Sequence, residues 1–231
     1  MPVLLAVVLL ALYWSVNGRD LDDVEAQRLG FDNILASTQR HLLLTVVSTA
    51  FVLMIAIPFG ILLTRPFARP ITPPAIAVFN IGQAIPSIGL VVLLAIIWTI
   101  GFWPAVVGLT AYTTVPVLRN TMVGLKQVDA SVIESARGMG MTKLAVLLRI
   151  ELPLAVPVIM AGLRTAMTIN VGTATLAAFI GAGGLGTLIV SGFQGNRPII
   201  TIVGAVLVAV LALLVDYVAG VAEDVLRPRG L

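Results

Sequence analysis

The chain has no cysteine, a single histidine, and charge on only 11% of its 231 residues. Without thiols there can be no disulfide, thiol catalysis or cysteine-based metal site. His41 stands alone beside an apolar run, where one imidazole cannot complete a metal site; it reads as an interfacial residue, and no metal is expected. Scarce charge accompanies 59% hydrophobic residues, above the roughly 45–50% of soluble domains, so the composition suits a bilayer. The net charge of +3 is scattered between apolar runs with no basic, aromatic-interleaved patch, which excludes a nucleic-acid partner. The phosphate-cradling pattern GxxxxGK[ST] is absent as well: the glycine tracts lack the following lysine, so this chain is not itself an ATPase. No His, Cys or paired carboxylate lies inside an apolar run, so no catalytic residue is assigned.

A helix needs about 20 apolar residues to cross the hydrocarbon core, and six segments qualify or come close. They are Pro2 to Val16, Leu42 to Thr64, Pro74 to Ile100, Pro104 to Val123, Leu152 to Ile180, and the stretch from Arg197–Pro198 to Val221. The first has no basic residue ahead of it and no small-x-small cleavage site, so it reads as a retained helix rather than a signal peptide. No charge occurs between Arg69 and Arg119, and GFWP at 101–104 supplies the reversal. Prolines 86, 116 and 157 and the glycine-rich tracts point to broken or closely packed helices. Lys and Arg near span ends favour the cytoplasm. Arg65 and Arg69, the cations from Arg119 to Arg149, and Arg227 and Arg229 all fall on one side, which makes both termini cytoplasmic. The opposite side holds an acidic loop at 17–40. The chain is thus expected to be an all-α membrane protein: residues 1–40 form the first helix and external loop, and residues 41–231 the main domain.

The largest polar interruption is ESARGMGMTKLAVLLRIELP, residues 134–153. Asp129 is placed to start a short helix that the glycines at 138 and 140 stop. Thr142 is placed to cap a second, with Ala145, Leu148 and Leu152 near one face. From the residues alone, a protruding knob and a helix lying on anionic lipid fit equally well. The stretch resembles the EAA loop of permease subunits in binding-protein-dependent ABC importers. Glu134, Ser135 and Ala136 match its opening, Gly140 its glycine, and Ile150, Leu152 and Pro153 its ending; Ser135 replaces an alanine, as a small residue at a packed position. Residues 162–189, with the preceding DASVIESARGMGMTK, are similar to permeases that import glycine betaine, choline and carnitine, and the likeness covers roughly residues 40–220.

This resemblance implies a five-helix type I ABC importer permease core, with the loop at 129–153 coupling it to a separate ATPase. It further implies two ATPase copies that bind ATP and magnesium, a second permease (the same chain or a related one), an extracytoplasmic binding protein, and residence in a prokaryotic inner membrane. Glu134 is expected to lock the loop by accepting hydrogen bonds from backbone N–H groups or an arginine, and Gly140 to permit close approach or a positive backbone angle. Polar residues within the spans have two readings, lining the pathway or tying helices together. They are Asn80, Gln83, Ser87, Thr110, Thr113, Thr114, Asn170, Thr173 and Thr175. Arg164, deep in the fifth span, is expected to pair with Asp216. Methionine or another small amino-acid-like solute is the alternative substrate. An ion-coupled secondary transporter is the alternative class, and no convincing inverted repeat supports it.

Overall fold

A computed structural model describes residues 1–226. The tail cations Arg227 and Arg229 lie outside the described residues. Every regular element among the described residues is helical. The first six helices are α1 (Pro2–Asn17), α2 (Asp23–Leu29), α3 (Phe31–Thr64), α4 (Thr72–Ala84), α5 (Ser87–Ile97) and α6 (Phe102–Lys126). There follow α7 (Ala130–Gly138), α8 (Lys143–Val146), α9 (Leu152–Thr173), α10 (Gly186–Gln194) and α11 (Pro198–Leu226). A π-turn at Leu147–Glu151 joins α8 to α9, and a 3-10 segment, Ala174–Ile180, extends α9.

Helix α6 is the axis of the bundle, packed between α3 and α9, while α11 covers α9 and α10. The buried face of α3 runs Ser37, His41, Leu44, Ser48, Val52, Ala56 and on to Gly60, a spacing of three or four residues that makes one continuous stripe. Close packing at the axis depends on glycine. A Cβ on Gly162 of α9 would lie 2.5 Å from the Cβ of Asn120, and one on Gly60 would lie 2.6 Å from Thr121 Cγ2.

By length and apolarity three helical runs can cross a bilayer: Phe31–Thr64, Lys143–Ile180 and Pro198–Val225. Helix α6 is long enough, at about 37 Å, yet its inner face carries buried threonines, which lower its apolarity while remaining sealed within protein. The third expected span is not one rod. Helices α4 and α5 meet at 92°, because Pro86 excludes the helical conformation for the residue before it, and Ile85 takes φ −72°, ψ 129°.

Three further features differ from the sequence expectation. Residues 31–40, assigned to a loop, form the first turns of α3; the break falls earlier, at Gly30, and the polar side chains ride on helix. Residues 186–194, assigned to no element, form α10, folded against α11. That approach also relies on glycine, since a Cβ on Gly192 would come 2.5 Å from Thr201 Oγ1. Finally, the second helix of the polar loop does not stop before the fifth span. From Lys143 to Ile180 the chain is one helical run, with the π-turn closed by the Leu152 N–H donating to the Leu147 carbonyl. The wider turn lies where the Pro153 ring would otherwise press on the carbonyl four residues back.

Candidate functional site

The polar loop is ordered by three backbone caps. At the start of α7, the Asp129 carboxylate accepts from the Ser131 N–H at 2.8 Å, a bond that holds this carboxyl below its usual range. At the end of α7, the Gly140 N–H donates to the Arg137 carbonyl at 3.0 Å and the Met141 N–H to the Ala136 carbonyl at 3.2 Å. These are the paired bonds of a Schellman stop, with Gly140 as its left-handed residue at φ +87°. Nothing lies within 4 Å of where a Gly140 Cβ would project, so the glycine is there for its backbone angle and not for close approach. Thr142 then caps α8, its hydroxyl accepting from the Ala145 N–H at 3.2 Å.

Side chains in the loop are placed differently from the sequence expectation. Ala136 is buried, but Ser135 is exposed and does not occupy a packed position. Glu134 is exposed too, and among the described residues its carboxylate forms no hydrogen bond or ion pair. The caps lock the loop without it. On the second arm Val146 is buried, whereas Leu148 is 55% exposed and Ala145 and Ile150 are half-buried. Leu152 packs onto the cluster of Leu125, Ala155 and Ile159, and Pro153 occupies the first turn of α9, where a missing N–H costs little.

The locking carboxylate is Glu151. Its side chain is 9% exposed, and Arg65, just beyond α3, donates to both of its oxygens, Nη2 to Oε2 at 2.6 Å and Nη1 to Oε1 at 3.3 Å. Arg65 Nε also donates to the Ile61 carbonyl at 3.2 Å. Sequence reasoning missed this pair. The signal available was a carboxylate at a span boundary, directly before the apolar run that begins at Leu152.

The polar residues of the spans divide by location. Thr110, Thr113 and Thr114 are buried, and each hydroxyl donates to the carbonyl four residues back in α6. Asn170 is buried between α9 and α3, its Nδ2 donating to the Thr45 carbonyl and to the hydroxyls of Ser48 and Thr49 at 2.7–3.2 Å. Thr173 donates to the Ile169 carbonyl within α9, and Thr175, on the 3-10 segment, donates to the Gly172 carbonyl of α9. The broken pair holds the others: Asn80 accepts from Arg119 Nη2 at 2.9 Å, Gln83 donates to the Tyr112 carbonyl at 3.3 Å, and half-buried Ser87 opens α5. Between α3, α4 and α6 lies an apolar cavity of about 330 Å³, lined in part by Phe51, Phe79, Trp103 and Thr114. Arg164 Nε and Nη2 donate to the two oxygens of Asp216 at 2.6 and 2.7 Å. The guanidinium can approach α11 because Gly220 leaves room for it; a Cβ there would lie 3.3 Å from Nη1.

At the other end of the bundle, His41 is a core residue, fully buried, and not interfacial. Its Nδ1 accepts from the Leu185 N–H at 3.2 Å, and Nε2 faces the Val171 carbonyl at 2.9 Å. The two bonds together define a neutral ring protonated at Nε2. With Arg40 Nε donating to the Ala182 carbonyl at 3.0 Å, α3 holds the glycine tract in place. Arg197 pairs with Asp22, the residue that also caps α2. That contact, followed by the Glu25 N–H, holds the Asp22 carboxyl below the usual range.

A bundle of long apolar helices with a large polar loop, capped at both ends and pinned at the end of α3, has the composition of a multi-span membrane component. Residues 56–228 match the family described as the binding-protein-dependent transport system inner membrane component, and the chain belongs to that family. It is 41% identical over 210 residues to the osmoprotectant import permease protein OsmY of Salmonella typhimurium, covering 91% of this chain and 88% of that one. Identity to the choline transport system permease protein OpuBB of Bacillus subtilis is 39% over 198 residues, or 86% and 90% of the two chains. A carnitine transport permease protein, OpuCD, of Listeria monocytogenes is 40% identical over 190 residues, 82% and 84% of the two. Among solved structures, the fold matches a chain of the MetNI methionine ABC transporter in inward facing conformations, with a TM-score of 0.74 and 26% identity over 84% of this chain and 96% of that one. It also matches a chain of an amino acid ABC transporter, with a TM-score of 0.71 at 16% identity over 89% and 99% of the two chains, a likeness of fold alone.

Proposed function

We propose that this chain is the permease subunit of an ATP-driven importer for quaternary-amine osmoprotectants such as glycine betaine, choline or carnitine. The observation that carries the reading is identity of 39–41% over most of the chain to permeases named for choline and osmoprotectant transport, against 26% to the methionine transporter chain. The loop at 129–153 is the coupling element. It docks onto a separate ATPase, where ATP and magnesium bind, and two ATPases closing together drive two permeases between inward-open and outward-open states. An extracytoplasmic binding protein delivers the substrate. The loop and both termini face the cytoplasm, as the distribution of lysine and arginine requires, and the membrane is the inner membrane of a prokaryote. Asn80, Gln83 and Ser87 on the broken pair α4–α5 line the pathway, since irregular backbone at membrane depth belongs beside a cavity.

The test is uptake of labelled glycine betaine and choline at high external osmolarity, in cells lacking their own importers and expressing this permease with its co-purifying partners. Saturable, ATP-dependent uptake is expected. No uptake of either compound while the ATPase remains assembled would remove the osmoprotectant assignment and move the substrate toward methionine-like solutes.

A further inference from the structure

The coupling loop encloses more than a docking surface. Behind it lies a cavity of about 640 Å³, within the roughly 300–1,000 Å³ range of ligand pockets. The loop is a V with its apex at Gly140. One wall is the face of α7 that carries Ala130, Ile133 and Arg137; the other is the face of the second arm that carries Lys143, Leu144, Leu147 and Glu151. The floor is formed by the ends of α3 and α6, at Arg65, Leu125 and Lys126.

Charge in this cavity is one-sided. Four cations, Arg65, Lys126, Arg137 and Lys143, meet one carboxylate, and both oxygens of that carboxylate are already taken by Arg65. The side chains of Lys126, Arg137 and Lys143 form no hydrogen bond or ion pair among the described residues. All three residues are exposed at the cavity, where water screens their mutual repulsion, and an anion placed between them is attracted by each. Apart from Thr64, the remaining lining, including Leu125, Ile133, Val146 and Leu147, is apolar, and the floor lies where the apolar run of α3 ends at Thr64. A free inorganic anion would use the cations alone. An amphiphile at the membrane surface uses both the cations and the apolar walls.

We propose that this cavity binds the phosphodiester headgroup of an anionic phospholipid, held between Arg137 and Lys143 on the two walls and Lys126 on the floor. The lipid then bridges the arms of the V and ties the coupling loop to the bilayer. This inference rests on family membership and on the geometry of the loop, and is independent of which solute is transported.

The experiment is native mass spectrometry of the purified full-length permease titrated with phosphatidylglycerol or phosphatidylcholine. Wild type is compared with K126Q/R137Q/K143Q and with a charge-matched control, R19Q/R28Q/R69Q. Each basic residue near a membrane surface is worth roughly fivefold in binding, so three together give about a hundredfold. Wild type and the control should retain one phosphatidylglycerol in preference to phosphatidylcholine, and the cavity variant should lose that preference by about this factor. Equal loss in both triple variants would show general surface electrostatics and overturn the site. Displacement of the lipid by millimolar inorganic phosphate would assign the cavity to the free anion. Unchanged lipid retention in the cavity variant, with loss of its co-purifying ATPase, would assign the cations to the partner subunit.

Discussion

Along α6, Thr110, Thr113, Thr114 and Thr121 are all buried, whereas across 129–142 only Ala136 is. Yet the loop is as definite in shape as the helix. In α6 the shape comes from volume: polar side chains satisfy themselves on their own backbone, and neighbouring helices close in until only glycine fits. In the loop it comes from hydrogen bonds at three caps and one ion pair, with most side chains left free in solvent. A packed axis therefore resists almost any added atom, while a capped loop tolerates new side chains and fails only when its backbone angles or its pin are disturbed. Such an arrangement leaves the loop's surface available to a partner.

The comparison breaks most severely at the axis. Replacing Gly162 with leucine drives a side chain into Asn120 and should destabilise the permease by about 3 kcal/mol, read as loss of monodisperse protein after detergent extraction and a lower thermal midpoint. Next is the pin. Arg65→Met strands the buried Glu151 carboxylate and should cost about 2–3 kcal/mol, whereas Arg65→Met with Glu151→Leu should recover most of it. A double variant no better than the single one would show that the pair does not act as a unit. The smallest effect on stability belongs to Gly140. Gly140→Val, forced to positive φ, should cost about 1–2 kcal/mol locally. It should leave the protein in the membrane while abolishing substrate-stimulated ATP hydrolysis, and Gly140→Asn, which tolerates the left-handed region, should retain most of that activity. Equal behaviour of valine and asparagine would place the requirement in the side chain rather than the backbone.

Much of this was legible in the sequence because membrane helices are written in long local signals. The charge-free run from Arg69 to Arg119, the GFWP reversal and the spacing from Glu134 to Pro153 each lie within one stretch of chain. What escaped depends on partners far apart. Glu151 and Arg65 are separated by 86 positions, and each looked like an ordinary boundary charge. His41 finds its bonding partners 130 and 144 residues away. Helix α10 was missed because glycine records that something comes close without recording what. Pro86 marked a break, but only the backbone at Ile85 turns that break into a right-angle bend.

The helical run from Lys143 to Ile180, with its π-turn and 3-10 end, has a mechanical consequence. Its 38 residues make a shaft of roughly 55 Å at helical rise, with the polar loop at one end and the glycine tract at the other. A tilt of about 5° about one end carries the other through roughly 5 Å, close to the rise of one helical turn. A small rotation imposed on the run at the V would therefore reach the glycine tract as a displacement of about that size, less whatever the π-turn at Leu147–Glu151 and the 3-10 segment at Ala174–Ile180 absorb.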